Sequence, residues 1–206
     1  MTKEAGTKTE NMPVTADASS TQNNNEATQQ FERVRTEIEQ WRMEDLARSG
    51  LTEDDIATAI VMPKGGKHSH NGGYNILFRD PATGEDLHGA NGKLFHRMRY
   101  RPPLPKDKSG KGQRYGSPFN GGNHCYIPKK THLALTGDPE LPLYLTEGEK
   151  KAAKADQAHF PVIGLTGIWN WLDSAAHRKT EKGCNYAIHP DITRYLAAPR
   201  KVFFDL

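Results

Sequence analysis

The stretch Leu143-Tyr-Leu-Thr-Glu-Gly-Glu-Lys-Lys-Ala-Ala-Lys154 decides how this chain folds. Its first four residues form a largely apolar, strand-forming run, Glu147-Gly148 breaks it, and a helix-forming Glu/Lys/Ala run follows. A strand that turns directly into a helix is half of a β-α-β unit, and it leaves the Glu147 carboxylate at the strand's C-terminal end. Open α/β sheets bind ligands at that end. The next apolar run, Pro161-Val-Ile-Gly-Leu-Thr-Gly167, reads as a second strand ending in glycine, and Lys201-Val-Phe-Phe-Asp-Leu206 as a third ending in an acid. Between them, His189-Pro190-Asp191 opens a helix expected over residues 192–198, a connection of the length that right-handed crossovers use. The expected fold class is α/β, with Glu147 and Asp205 carried on strand ends.

The Glu147-Gly148-Glu149-Lys150-Lys151-Ala152 run, followed by Ile163-Gly164-Leu165-Thr166-Gly167-Ile168-Trp169, resembles the Toprim-like domain of phage, plasmid and integrative-element replication proteins. The likeness covers about residues 95–206. It implies a Toprim-like, Rossmann-like parallel sheet, with Glu147 as general acid/base or metal ligand and Gly148 as the turn after it. It also implies that Asp205 is the first aspartate of an Asp-x-Asp motif and, with Glu147, a ligand of Mg2+. The second aspartate of that motif would follow Leu206, so the sheet is expected to be incomplete here and finished in a longer parent chain of the primase-helicase type. Lys151 stands where Toprim motifs of the Glu-Gly-x-x-Asp type carry an acid. The implied activity of the intact protein is metal-dependent nucleotidyl or phosphoryl transfer, and this chain alone is expected to be inactive.

Polynucleotide chemistry needs carboxylates because phosphoryl transfer develops charge on the attacking and leaving oxygens, which divalent ions neutralise. Magnesium suits such an open site, since it takes few carboxylates and keeps several waters. Gly148 and Gly167, without a Cβ, permit close backbone approach by a phosphate or metal-bound oxygen. Lys150 and Lys151 are candidate phosphate contacts beside them. The alternative is a non-catalytic interaction module in which Glu147 only faces the dipole of the following helix, worth about 0.3–1 kcal/mol.

Charge is unevenly spread along the chain, whose net charge is +3. Residues 1–60 hold 6 Lys/Arg against 12 Asp/Glu, whereas residues 91–130 hold 10 against 1. The basic middle points to a polyanionic partner. Period-two alternation over a strand expected at Lys93–Arg101 puts Lys93, Phe95, Arg97, Arg99 and Arg101 on one face and Leu94, His96, Met98 and Tyr100 on the other. Pro102-Pro103 ends that strand, and Lys106, Lys108, Lys111 and Arg114 follow in a Gly/Pro-containing loop interrupted by Tyr115 and Phe119. Cations that track a backbone beside rings that stack on bases suit DNA, single-stranded or primer-template. A solvated strand face beside a Lys/Gly loop is the plainer alternative.

Four segments are expected. Residues 1–28 are polar and too poor in large apolar side chains to offset ordering entropy, so they read as disordered. Residues 29–62 form a helical element, with Phe31, Val34, Ile38, Trp41 and Leu46 at near-helical spacing through residues 30–48, a stop at Gly50, and a short second helix over 53–60 opened by Thr52 and Asp55. Residues 63–130 are the basic β-rich segment, in which residues 74–79 form a strand and Asp80–Gly84 a turn. Residues 131–206 carry the incomplete α/β domain. Ile168-Trp-Asn-Trp-Leu172 reads as a loop anchored on the sheet.

Cys125 and Cys184 offer no disulfide framework, and with His124 and His189 they lack the paired spacing of structural zinc, so no zinc is expected. Gly65-Gly66-Lys67 and Lys111-Gly112 do not fit the phosphate-loop pattern. No apolar run reaches the ~18 residues of a membrane span, and no signal peptide opens the chain, so a cytoplasmic location is expected.

Overall fold

Two sheets with a helix between them organise residues 35–206, which form one unit, residues 1–34 forming another. The structure, a computed structural model, describes residues 18–66, 69–173, 187–196 and 200–205. The chain order is α1 (Ala18–Ala47), β1 (Thr58–Val61), β2 (Gly73–Leu77), β3 (His96–Tyr100), β4 (Tyr115–Gly116), α2 (Lys129–Gly137), β5 (Leu143–Glu147), α3 (Glu149–Gln157), β6 (Val162–Leu165), α4 (Pro190–Thr193) and β7 (Val202–Asp205). Strands β1-β2-β3-β4 make an antiparallel sheet, and β6-β5-β7 a parallel one. The chain is thus mixed α/β. Among the described residues no helix is long and apolar enough to cross a membrane.

Strand β6 is buried on both faces, which is why it reads as an unbroken apolar run. One face packs on α3: Ala152, Ala153 and Val162 share a core with Leu46, Ile56, Tyr74, Ile76, Phe78 and Phe95 of the antiparallel side. The other face gathers Leu143, Leu145, Ile163 and Leu165 with Ile127, Leu135 of α2 and Ile192 of α4. Each such side chain contributes about 1.5–3 kcal/mol on burial. Small residues set the spacing of α3 against β6: a Cβ at Gly164 would stand 3.0 Å from the Ala152 Cβ and 3.2 Å from the Gly148 carbonyl oxygen.

Helix α2 has no side-chain cap of its own, because Pro128 precedes it. Asp156 of α3 supplies one across space, its Oδ1 accepting from Thr131 N at 2.6 Å and Thr131 Oγ1 at 2.8 Å. At the other end, Arg200 Nη2 donates to the carbonyl oxygens of Leu135 (2.9 Å) and Asp138 (3.0 Å). The segment leading into β7 is thereby tied to α2.

Three elements differ from expectation. Helix α1 begins at Ala18 rather than at residue 30, so residues 18–28 are helical, while 1–17 lie outside the described residues. No second helix forms over 53–60. Asp55 Oδ2 accepts from Thr52 N (2.8 Å) and Thr52 Oγ1 (2.9 Å), but only a turn results, and Thr58–Val61 pairs with β2 as strand β1. Cross-strand pairing of the β-branched Thr58, Ile60 and Val61 outweighs a local capping signal. Helix α4 spans Pro190–Thr193 instead of 192–198. Here the Pro190 ring is preset for a first helical position, and His189 Nδ1 accepts from Asp191 N at 3.1 Å. Residues 197–199 lie outside the described residues, as does Cys184.

Candidate functional site

The carboxyl edge of the parallel sheet collects the ends of β5, β6 and β7. Register pairs Thr146 with Gly164 on one side and with Asp205 on the other, so Glu147 lies one residue past the Asp205 position on the neighbouring strand. Glu147 is exposed and has no hydrogen-bond or ion-pair partner among the described residues. It does not cap α3: the N-cap residue is Gly148, with no side-chain cap bond. Gly148 sits at φ 96 and ψ 143, a region open to glycine and strained for other residues, and a Cβ there would meet nothing within 4 Å. The turn therefore presents open space beside Glu147. Gly167 is different, since a Cβ at that position meets only the Asn170 side chain at 3.6 Å, an ordinary contact.

Arg97 holds this edge from behind. Its Nη1 donates to Glu149 Oε1 at 2.8 Å and to the Thr166 carbonyl oxygen at 2.7 Å, joining the start of α3 to the end of β6. Glu149 is buried, and its position in the first turn of α3 also suits the helix dipole. Beside it, Asp45 of α1 accepts from Arg99 (Nη2 to Oδ1, 3.1 Å), Tyr74 (2.7 Å) and Lys150. Burial acts to raise the Asp45 pKa, but the bonds from Arg99, Lys150 and Tyr74 outweigh it and hold the carboxyl well below the usual range. Burial, with Asp45 beside it, pushes the Tyr74 phenol far up.

The arginine row of β3 consequently faces the protein. Arg97 and Arg99 both lie over the Tyr115 ring, 5.0 and 4.9 Å from its centroid, and Arg101 pairs with Glu37 at 3.2 Å. Alternation correctly groups these residues on one face, yet α1 and α3 cover that face with Asp45, Glu149 and Glu37. Lys150, bonded to Asp45 and to its carbonyl oxygen (2.8 Å), is likewise engaged, whereas Lys151 is exposed.

The loop cations stand elsewhere. Lys106 bridges Gly112 across a hairpin tip whose turn is built by Asp107, with Oδ1 accepting from Ser109 N (2.8 Å) and Lys111 N (2.9 Å). Lys106, Lys108, Lys111 and Arg114 are all exposed with no carboxylate partner among the described residues. Phe119 is 88% exposed, while Tyr115 is half-buried beneath the Arg97 and Arg99 guanidiniums. Of the two tryptophans in the 168–172 loop, Trp171 packs on the second core and edge-on to Phe204 at 6.0 Å, and Trp169 is exposed.

Sequence reasoning missed two features. A groove of about 620 Å³ beside β5 is lined by Tyr144, Thr146, Lys151, Lys154 and Phe160. On the opposite face of the sheet, Cys125 meets His189 and Asp191. The apolar alternation of β5 signals a buried face but not a groove left beside α3.

Residues 133–205 match the family profile of a domain of unknown function, DUF3854. No curated protein and no solved structure matches the chain.

Proposed function

We propose that this chain is the nucleic-acid-binding part of a mobile-element replication protein and carries a Toprim-like acidic edge for metal-dependent phosphoryl transfer. The observation that carries the reading is the placement of Glu147, exposed and unpartnered among the described residues, next to the Asp205 position on an adjacent parallel strand. An all-oxygen donor set at an open strand edge fits Mg2+, which accepts few carboxylates and retains water. Glu147 and Asp205 would hold that ion. When bound, it would neutralise charge developing on phosphoryl oxygens. The chain's own contribution is positional: Arg97 fixes the β5–α3 and β6 turns, and Gly148 keeps the approach to Glu147 open.

Nucleic-acid affinity, on this reading, comes from the hairpin cations Lys106, Lys108, Lys111 and Arg114, with Phe119 as the stacking ring. The β3 arginines are held in intramolecular ion pairs instead, so their charge is already matched. Fluorescence anisotropy with labelled single-stranded DNA across ionic strengths tests this. Replacing the four hairpin cations by Ala should weaken binding and reduce the log–log salt slope by about 0.7 for each phosphate that is no longer neutralised. Equal affinity and slope in wild type and variant would exclude the hairpin as the interface.

A further inference from the structure

Cys125, His189 and Asp191 meet in the second core, where Tyr126 bridges Gly164 of β6. One ligand-capable atom of each lies within 4.8 Å of the others, and all three residues are buried. His189 Nδ1 stands 3.7 Å from Asp191 Oδ2, and His124 Nδ1 stands 3.5 Å from the same oxygen. In a tetrahedral site with Zn–S of about 2.3 Å and Zn–N or Zn–O of about 2.0 Å, neighbouring ligand atoms lie roughly 3.3–3.6 Å apart. The two His–Asp separations are close to that range, and the Cys125, His189 and Asp191 atoms, up to 4.8 Å apart, would have to draw together around the ion, with His124 joining from beside Asp191.

We propose that Cys125, His189 and Asp191 bind a structural zinc-class divalent ion, with His124 Nδ1 as the fourth ligand. The surrounding bonds orient these groups as metal sites require. His189 Nε2 lies 3.0 Å from the Asn123 carbonyl oxygen, which can only accept, so Nε2 carries the proton and Nδ1 keeps its lone pair on the Asp191 side. A metal-bound histidine anchored by its other nitrogen to a backbone carbonyl is the usual outer-shell pattern. Asp191 Oδ2 accepts from Cys125 N at 2.9 Å, which aims the carboxylate at the cluster. His124 Nδ1 is buried with no hydrogen-bond partner among the described residues. A buried nitrogen left unpaired is unfavourable, and ligation would pair it.

Opposing these terms, the ion must displace the 3.1 Å hydrogen bond from Asp191 N to His189 Nδ1. Charge decides in the ion's favour. On binding, the S–H bond breaks, the proton leaves to solvent and the thiolate ligates. One thiolate, one carboxylate and a dication then sum to zero, a neutral cluster that burial tolerates. A thiolate ligand selects zinc-class ions over magnesium or calcium. The linear pattern hides this site because its ligands come from segments 64 residues apart in sequence, 189 minus 125. Bound metal would staple the segment before α2 to the one that opens α4.

The test uses the whole chain, stripped with a chelator and titrated with Co2+ and with Zn2+. We expect one ion per chain, a thiolate-to-cobalt charge-transfer band with intense tetrahedral d–d bands, and a higher thermal midpoint with Zn2+. Cys125→Ser should abolish the charge-transfer band, and His124→Ala should weaken the d–d bands. Three results would each overturn the proposal: a pale octahedral cobalt spectrum in wild type, a charge-transfer band that survives Cys125→Ser, or a thermal midpoint indifferent to Zn2+. Should Cys125→Ser not fold, the wild-type spectrum and the midpoint shift decide alone.

Discussion

Arg97 and Glu149, 52 residues apart in sequence, form a 2.8 Å ion pair in which the carboxylate is almost wholly buried. The pair joins the basic strand β3 to the first turn of α3, the helix that follows Glu147. A residue that alternation assigns to a nucleic-acid face is thus the support of the acidic edge. Buried ion pairs add little net stability, but breaking one strands the remaining charge.

Arg97→Ala should therefore cost roughly 3 kcal/mol, as an unpaired buried charge does. Replacing both partners by apolar residues of similar volume, Arg97→Met with Glu149→Leu, should recover most of that loss. Urea denaturation of the single and double variants measures the difference. A single variant within experimental error of wild type would show that Glu149 finds another partner.

Acid stability should depend on Asp45. Its pKa is depressed in the fold, so its contribution is present above the ordinary carboxylate pKa of about 3.9 and is lost as pH falls below it toward the folded value. Asp45→Asn should be less stable than wild type at pH 7, and the gap should shrink as pH drops below about 4. Thermal midpoints of the two proteins over that range check the sign. Parallel curves would place the acid sensitivity elsewhere.

Gly148→Ala should destabilise by about 1–3 kcal/mol through backbone strain alone, because the added methyl meets no atom. Gly164→Ala strains no dihedral but presses on Ala152 at 3.0 Å, so it should loosen the packing of α3 on β6. Chemical denaturation ranks the two, and near-UV circular dichroism should change for Gly164→Ala only.

Glu147→Gln separates a metal-binding acid from a mere helix-dipole partner. Loss of a metal ligand should leave metal-free stability unchanged or higher while removing any rise in thermal midpoint with Mg2+. Loss of a dipole partner should cost about 0.3–1 kcal/mol with no magnesium dependence. A destabilised variant whose melting still responds to Mg2+ as wild type does would eliminate Glu147 from a metal site.

The sequence by itself determined the strand–turn–helix unit over residues 143–157 and the strands β6 and β7. Their signals are local: an apolar run, a glycine that ends it, and a helix-forming run are each read within a few residues. That Glu147 and Asp205 end strands follows from the same signals. Only the tertiary structure decided that β5 lies between β6 and β7, which sets those two positions side by side. Alternation grouped Arg97, Arg99 and Arg101 on one face of β3, but whether solvent, nucleic acid or protein covers a face is settled by groups distant in sequence. Here Asp45 and Glu149, 54 and 52 residues away, cover it. Strand β1 was hidden for the same reason: Thr52 and Asp55 signal a helix locally, while the pairing that makes 58–61 a strand is supplied by β2. The meeting of Cys125 with His189 and Asp191 belongs to this second class, since the parallel sheet's packing, and no spacing in the chain, brings them within 4.8 Å.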